Sequence, residues 1–518
     1  MDEYTVNELF KVKTSPNAHK IFKILDDRKN DYRHSFKKYT KSVQDYIVKN
    51  RQPDHERKTR IDVWKLLRKT IEPFFGEGSY LAMGGSTLTN LATKGADLDL
   101  CFAIRCEDGS YTEEGVNNFV LSKIHRILEQ KPFITGLRHI CARVPIVTVE
   151  LAFPYMDVKV DINCNCVAGI FNTHLLAHLS RLDNRFVQMN MILKKWAKVN
   201  HVVDPSVNNF VLSKIHRILE QKPFITGLRH ICARVPIVTV ELAFPYMDVK
   251  VDINCNCVAG IFNTHLLSHL SRRKFNSYTV SLMIIHFLQC GVYPPILPNL
   301  FKLFPKHFDG TGNVEDLDYA MELDLPRWVG RGMGDLWGRS GVEKMETFFG
   351  EWGIKNSLDV REFKEFVRRK KTFCPTLICS SFLPGREIPK NERTIGELIY
   401  GFFDYYTRFN YDEWGISIKD GKIFDRNILP DTEREYMFFI EEAYDGMTVP
   451  KNLKRQSNLM EIVGEFKQAR LSILKDICEN YPPPIDETED YRDEFEEENN
   501  NKILKRNNNE INNLADNW

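Results

Sequence analysis

Apolar residues recur at helical spacing through Val63, Leu66, Leu67 and Ile71, which predicts that the first 75 residues are helical and end in a packed helix. The pattern changes after Met83. Gly84-Gly85-Ser86 reads as a tight turn, followed by a polar loop and then Asp97-Leu-Asp-Leu-Cys-Phe-Ala-Ile104. That run predicts a strand carrying Asp97 and Asp99. Its apolar positions Leu98, Leu100, Phe102 and Ile104 show no clean alternation beyond the aspartates, as in a strand buried on both faces. A helix is expected over Val116–Glu129, then two alternating runs, Pro145–Leu151 and Met156–Asn163, as the strands of a hairpin. In the second run Val158, Val160 and Ile162 share one face, and Asp157, Lys159 and Asp161 the other. Phe171-Asn-Thr-His174 is expected to open a helix with Asn172 or Thr173 as N-cap. Further helices are expected over Arg185–Lys198 and Thr279–Gln289. An amphipathic one follows with the stripe Ile395, Leu398, Ile399, Phe402 and Phe403, then a strand over Ile416–Gly421.

One feature of this pattern is not local. Val116 to Leu176 recurs without change as Val207 to Leu267, and the match runs on to Arg181 and Arg272 with one difference, Ala177 against Ser268. Two near-identical copies with different material between them are not a solenoid of diverged units. The first copy leads directly into the lysine-bearing helix, so it is read as the working one and the second as inserted. Either the duplication leaves the fold intact or it leaves an inactive chain that only binds other molecules.

Composition changes the picture little. The 518 residues suffice for two or three domains, and a net charge of +1 argues against indiscriminate nucleic-acid binding. Neither a leader-like apolar segment nor a bilayer-length run is present, so no membrane role is expected. Half of the twelve cysteines are one set, Cys141, Cys164 and Cys166, and its copy, and no Cys-x-x-Cys occurs. Reduced, mostly buried thiols in a cytoplasmic or nuclear protein follow. Residues 484–518 are acidic and Asn-rich and are expected to be disordered.

The candidate chemistry lies in the Gly-Ser turn and the paired aspartates. Asp97 and Asp99 fall on one face of a strand, where two like charges call for a cation between them, and Mg²⁺ prefers such hard oxygen ligands. Gly85 and Ser86 offer backbone N–H groups to phosphate oxygens ten residues upstream. Together they suggest metal-assisted phosphoryl or nucleotidyl transfer.

Gly-Ser followed by Asp-x-Asp resembles the DNA polymerase β-like nucleotidyltransferases, within them cytoplasmic poly(A) polymerases and terminal uridylyltransferases. Asn90 stands where that family usually has a second glycine, a position Asn tolerates at positive φ. The resemblance extends over Lys194-Lys-Trp-Ala-Lys198, Asn276-Ser-Tyr278, Tyr293-Pro-Pro-Ile-Leu-Pro298 and Thr394–Tyr406. It implies an α+β fold, a nucleotidyltransferase palm with a mixed β-sheet plus a helical central (poly(A)-polymerase-associated) domain. It implies Asp161 as the third carboxylate beside Asp97 and Asp99, all three catalytic and holding Mg²⁺ (or Mn²⁺), with Asp252 as the duplicate position. It also implies nucleotide binding by Gly85, Ser86, Asn172, Thr173, Lys194, Lys198, Ser277 and Tyr278. On this reading the chain divides into an N-terminal helical extension (1–75), the palm (76–176) and a central domain in two parts (177–206 and 272–300). The duplicate (207–271), an atypical insertion (301–391), the polymerase-associated segment (392–480) and the tail complete it.

The implied activity is template-independent addition of AMP from ATP to RNA 3′ ends, with a terminal uridylyltransferase as the alternative. No histidine lies between Phe438 and Glu461, where uridylyltransferases commonly carry one, which favours ATP over UTP. No RNA-recognition motif, KH signature or zinc knuckle is present, so the resemblance implies a separate RNA-binding partner for targeting.

Overall fold

The computed structural model describes residues 2–27, 29–105, 114–140, 144–200, 224–231, 237–243, 250–254, 275–319 and 390–477, with single positions at 202, 219, 222, 321 and 323. Helices α1 (Glu3–Phe10), α2 (Lys23–Asp27), α3 (Lys29–Asn50) and α4 (Asp54–Ile71) precede the sheet. Strands β1 (Ser79–Met83), β2 (Leu98–Ile104), β3 (Ile134–Ile140), β4 (Ile146–Leu151) and β5 (Lys159–Cys164) form one five-stranded sheet in the order β1-β2-β5-β4-β3. Only β2 and β5 pair in parallel, so the sheet is mixed and the expected α+β class holds. α5 (Glu114–Glu129) packs on the β3–β5 side.

The turn at Gly84 follows directly from β1. β2 begins at Leu98, not at Asp97: the loop leaving the Gly-Ser turn only enters the ladder one residue later, and Asp97 stands at the strand's mouth. The buried run Leu100 to Ala103 matches the expectation of a strand covered on both faces.

Helix α6 (Val167–Leu182) starts a full turn before the expected Phe171, with Cys166 at the N-cap position, so neither Asn172 nor Thr173 caps it. The apolar content of Val167-Ala-Gly-Ile170 extends the helix toward β5 and leaves both residues inside it. Its Ile170, Phe171 and Ala177 enter the palm core with Trp64, Leu81, Phe102 and Val160. Its Leu175, Leu176, Leu179 and Leu182 enter a second, helical core. Buried on nearly every side, its polar Asn172, Thr173, His174 and His178 included, α6 is the shared wall of both cores.

The helical core gathers α7 (Asn184–Val199), α8 (Ser277–His286), α9 (Ile395–Thr407) and α10 (Gln456–Ile477). α8 is shorter than expected and passes into a π-turn over Phe287–Gly291 ahead of the proline-rich exit. In α9 all five residues of the expected stripe are buried, and Thr394 and Glu397 close a capping box at its start. Asp404 of α9 takes Arg470 of α10 at 2.6 Å and Arg408 at 3.0 Å, pairing the two helices through a buried carboxylate.

The second copy forms its own three-stranded sheet. β6 (Ile225–Ile231), β7 (Ile237–Leu242) and β8 (Lys250–Asn254) repeat the β3–β5 register, down to the same irregularity between Ile225 and Gly227. The later strands β9 (Trp414–Ser417) and β10 (Lys422–Asp425) make a small hairpin. Arg368–Lys371, the Glu107–Gly115 loop but for its last two residues, and the 484–518 tail lie outside the described residues.

Candidate active site

The site is assembled by register. Asp99 of β2 stands directly opposite Asp161 of β5 in a parallel ladder, so the two carboxylates sit side by side on one face. Asp252 occupies the same position of β8, opposite Thr239, with β2 elsewhere. The carboxyl of Asp99 is pushed up to about 6, by burial first and then by the charges of Asp161 and Asp97. Burial also raises Asp161, against a Thr148 hydrogen bond that lowers it. The three carboxylates therefore share one electrostatic environment.

The Gly-Ser turn presses onto them. Gly85 has φ +73°, and a Cβ there would lie 2.1 Å from Asp99 Oδ2, so only glycine permits this approach. The Gly84 N–H donates to the Asp99 carbonyl at 2.9 Å and the Gly85 N–H to Thr173 Oγ1 at 3.0 Å. Thr173 thus fixes the turn instead of capping its own helix. Ser86 is half-exposed beside it. Asn90 adopts φ +63° and its side-chain oxygen accepts from Arg57 at 2.9 Å and from Arg51, which anchors the loop from behind.

The other expected site residues lie on helices of the helical core. Trp196 packs edge-on against Phe403 with ring centroids 4.6 Å apart, which locks α7. Lys194 and Lys198, one turn apart on α7, are close enough that Lys198 helps burial to lower Lys194 to about 8. Ser277 is the first residue of α8, whose N-cap Asn276 accepts the Thr279 N–H at 2.7 Å. Tyr278 is half-buried, and its hydroxyl donates to Asn172 Oδ1.

Glu442 is a residue that the sequence reading did not single out. Buried, it accepts Asn172 Nδ2 at 2.5 Å and the N–H groups of Tyr444 and Asp445 at 2.8 Å each, with the Tyr278 hydroxyl at 3.4 Å. The Tyr444 hydroxyl reaches the Phe171 carbonyl at 3.3 Å. The loop after β10 is thereby tied to α6 and α8. A lone Glu without a hydrophobic or spacing pattern around it carries no sequence signal of such a contact.

Comparison with known proteins fixes the family. Residues 39–181 and 189–272 match the model for the central palm domain of poly(A) RNA polymerases of the mitochondrial-like type, and 394–447 match that of Cid1-family poly(A) polymerases. The chain belongs to the poly(A) polymerase and terminal uridylyltransferase family. Among relatives, Poly(A) RNA polymerase gld-2 of Caenorhabditis elegans is 24% identical over 392 residues, 75% of this chain and 24% of that protein. Poly(A) RNA polymerase GLD2-A of Xenopus laevis is 22% identical over 405 residues, 78% of this chain and 54% of that protein. The chain thus spans from about a quarter to about half the length of these relatives. A solved GLD-2/RNP-8 complex structure shares the fold, with a TM-score of 0.51 at 22% identity, covering 86% of this chain and 99% of that one.

The family implies a divalent metal, and the donor set fits one. Three carboxylates of one environment, with Asp99 raised by burial and then by its acidic neighbours, present negative charge that a hard cation would neutralise. Among the described residues no three His, Cys, Asp or Glu side chains are already closed around a metal-sized space.

Proposed function

We propose that this chain is a template-independent nucleotidyltransferase that adds AMP from ATP to the 3′ ends of RNA. The observation that carries the reading is the Asp99–Asp161 register beneath the Gly85 turn. Asp97, Asp99 and Asp161 would hold Mg²⁺ or Mn²⁺, which when bound activates the RNA hydroxyl and neutralises the departing pyrophosphate. With the Gly85 N–H held by Thr173, Gly85 gives the close approach and Ser86 offers its hydroxyl to the triphosphate, while Lys194 and Lys198 supply positive charge. Tyr278 presents a half-exposed ring to the base, held by Asn172 and Glu442, and Ser277 lies at the dipole-positive start of α8. Charge stabilisation of the in-line displacement is the main contribution, since phosphoryl transfer asks little covalent chemistry of a protein.

The absence of histidine between Phe438 and Glu461, and relatives named as poly(A) polymerases, support ATP over UTP. A cytoplasmic site of action and a separate RNA-binding partner are part of the proposal. The solved relative is itself in complex with RNP-8, which supports the second. No described helix is long and apolar enough to cross a membrane. The test is extension of a labelled oligo(A) primer with each nucleoside triphosphate and Mg²⁺, beside the Asp97→Ala/Asp99→Ala variant. Extension with ATP alone that the variant abolishes is expected. Extension only with UTP, or extension that survives in the variant, overturns the reading.

A further inference from the structure

The duplication supplies two acceptor sheets for one β1–β2 unit. β3–β5 and β6–β8 are the same sequence folded in the same register, with Thr148 opposite Asp161 in one and Thr239 opposite Asp252 in the other. In the first, the free edge of β5 takes β2 through five parallel register pairs, from Leu98–Val160 to Phe102–Cys164. In the second, β8 pairs only with β7 among the described residues. The identity reaches past the strands. Ile170, which meets Gly84, and Thr173, which holds the Gly85 N–H, recur as Ile261 and Thr264, and Asn172 recurs as Asn263. Every residue of the first copy that seats β2 and its turn is therefore encoded twice.

We infer that β8 can take the place of β5 beside β2, so that Asp252 replaces Asp161 as the third carboxylate in a fraction of the molecules. The pairing contacts are equal by sequence, so the choice falls to what surrounds them. One such term is chain connectivity. The chain from β2 to β8 is roughly two and a half times as long as that from β2 to β5. Closing it favours β5 by roughly fourfold, because loop entropy grows only with the logarithm of length. The other term is α7, which follows the first copy directly and packs against its α6, whereas the second copy leads directly into α8. Both terms favour the arrangement seen, and neither forbids the other. A strand edge presenting the partner's own complementary sequence is the condition for such exchange.

The test has two arms. The activity arm rests on the proposed nucleotidyl transfer, and the cross-linking arm does not. In the first, Asp161→Asn is expected to retain extension above the Asp97→Ala/Asp99→Ala background, up to roughly a fifth of wild type. Asp252→Asn alone should lose no more than that share, and Asp161→Asn/Asp252→Asn should fall to background. Equal, background-level activity of Asp161→Asn and the Asp161→Asn/Asp252→Asn double variant overturns the exchange. In the second arm, Cys101 of β2 faces Asn163 of β5, and its counterpart on β8 is Asn254. Because Cys101 is buried once folded, refolding under mild oxidation is used, and a disulfide should join Cys101 to the introduced thiol in Asn254→Cys within one chain, more weakly than in Asn163→Cys, as read by peptide mass mapping. No 101–254 product, or one found only between two chains, overturns the inference whether or not the protein is active.

Discussion

Asp99 concentrates the chemistry of single residues. Its folded-state pKa of about 6 exceeds the 3.8 of a free aspartate, so the folded protein holds this proton more tightly than the unfolded chain. Its contribution to stability is therefore full at low pH and is lost as pH rises between about 4 and 6. Asp99→Asn should flatten that decline in thermal melts of the metal-free protein and raise Tm at pH 7, while lowering kcat by about 10²–10³-fold or more. A melting profile unchanged by the substitution would contradict the assignment of the shift. Lys194 works in the opposite sense. Lowered to about 8, it is mostly charged at pH 7 and loses its proton through pH 8–9, so kcat/KM for ATP should decline there. Lys194→Arg, charged throughout, should keep kcat/KM level over the same range.

At the scale of elements, α6 and the loop after β10 determine how the palm meets the helical core. Glu442 accepts two backbone N–H groups and the Asn172 amide in a buried setting. Glu442→Ala should cost about 2–3 kcal/mol in denaturant unfolding, because those donors are left without an acceptor. It should also raise KM for ATP, since Asn172 and the Tyr278 hydroxyl lose their common anchor. Unchanged KM with an unchanged unfolding midpoint would show that the loop contributes nothing to the site. The α9 stripe was legible from its spacing, as was the β4–β5 hairpin from its alternation. β1 and β3 were not read: β1 is a short apolar run before a turn, and β3 mixes Gly136, Arg138 and His139 on a half-exposed edge strand. The start of α6 was missed because Val167-Ala-Gly-Ile170 carries no cap signal, and the polar Asn172-Thr173 inside the helix imitates one.

For the whole molecule, the question is whether the inserted copy is tolerated. The first copy completes the five-stranded sheet, and the second folds as a separate sheet with the same internal register. Removing 207–271, which joins Ser206 to Arg272, takes away no residue of β1–β5, α6, α7 or α8. The shortened protein should extend RNA with the KM for ATP of the full chain and melt cooperatively at no lower temperature. Loss of the fold on deletion would mean that the second copy supports the first.

The sequence by itself determined the local chemistry: the Gly-Ser turn, the aspartate pair, the lysine spacing of α7 and the apolar stripe of α9. These are written in short-range periodicity and in residue types that few alternatives fit. Tertiary structure decided everything that depends on which distant segments meet. It chose Asp161 over its identical twin Asp252 as the neighbour of Asp99, turned Thr173 from a helix cap into a hold on Gly85, and recruited Glu442 to Asn172 and Tyr278. Two identical strands have identical propensities, so only connectivity and the packing of α6 and α7 around the first can tell them apart.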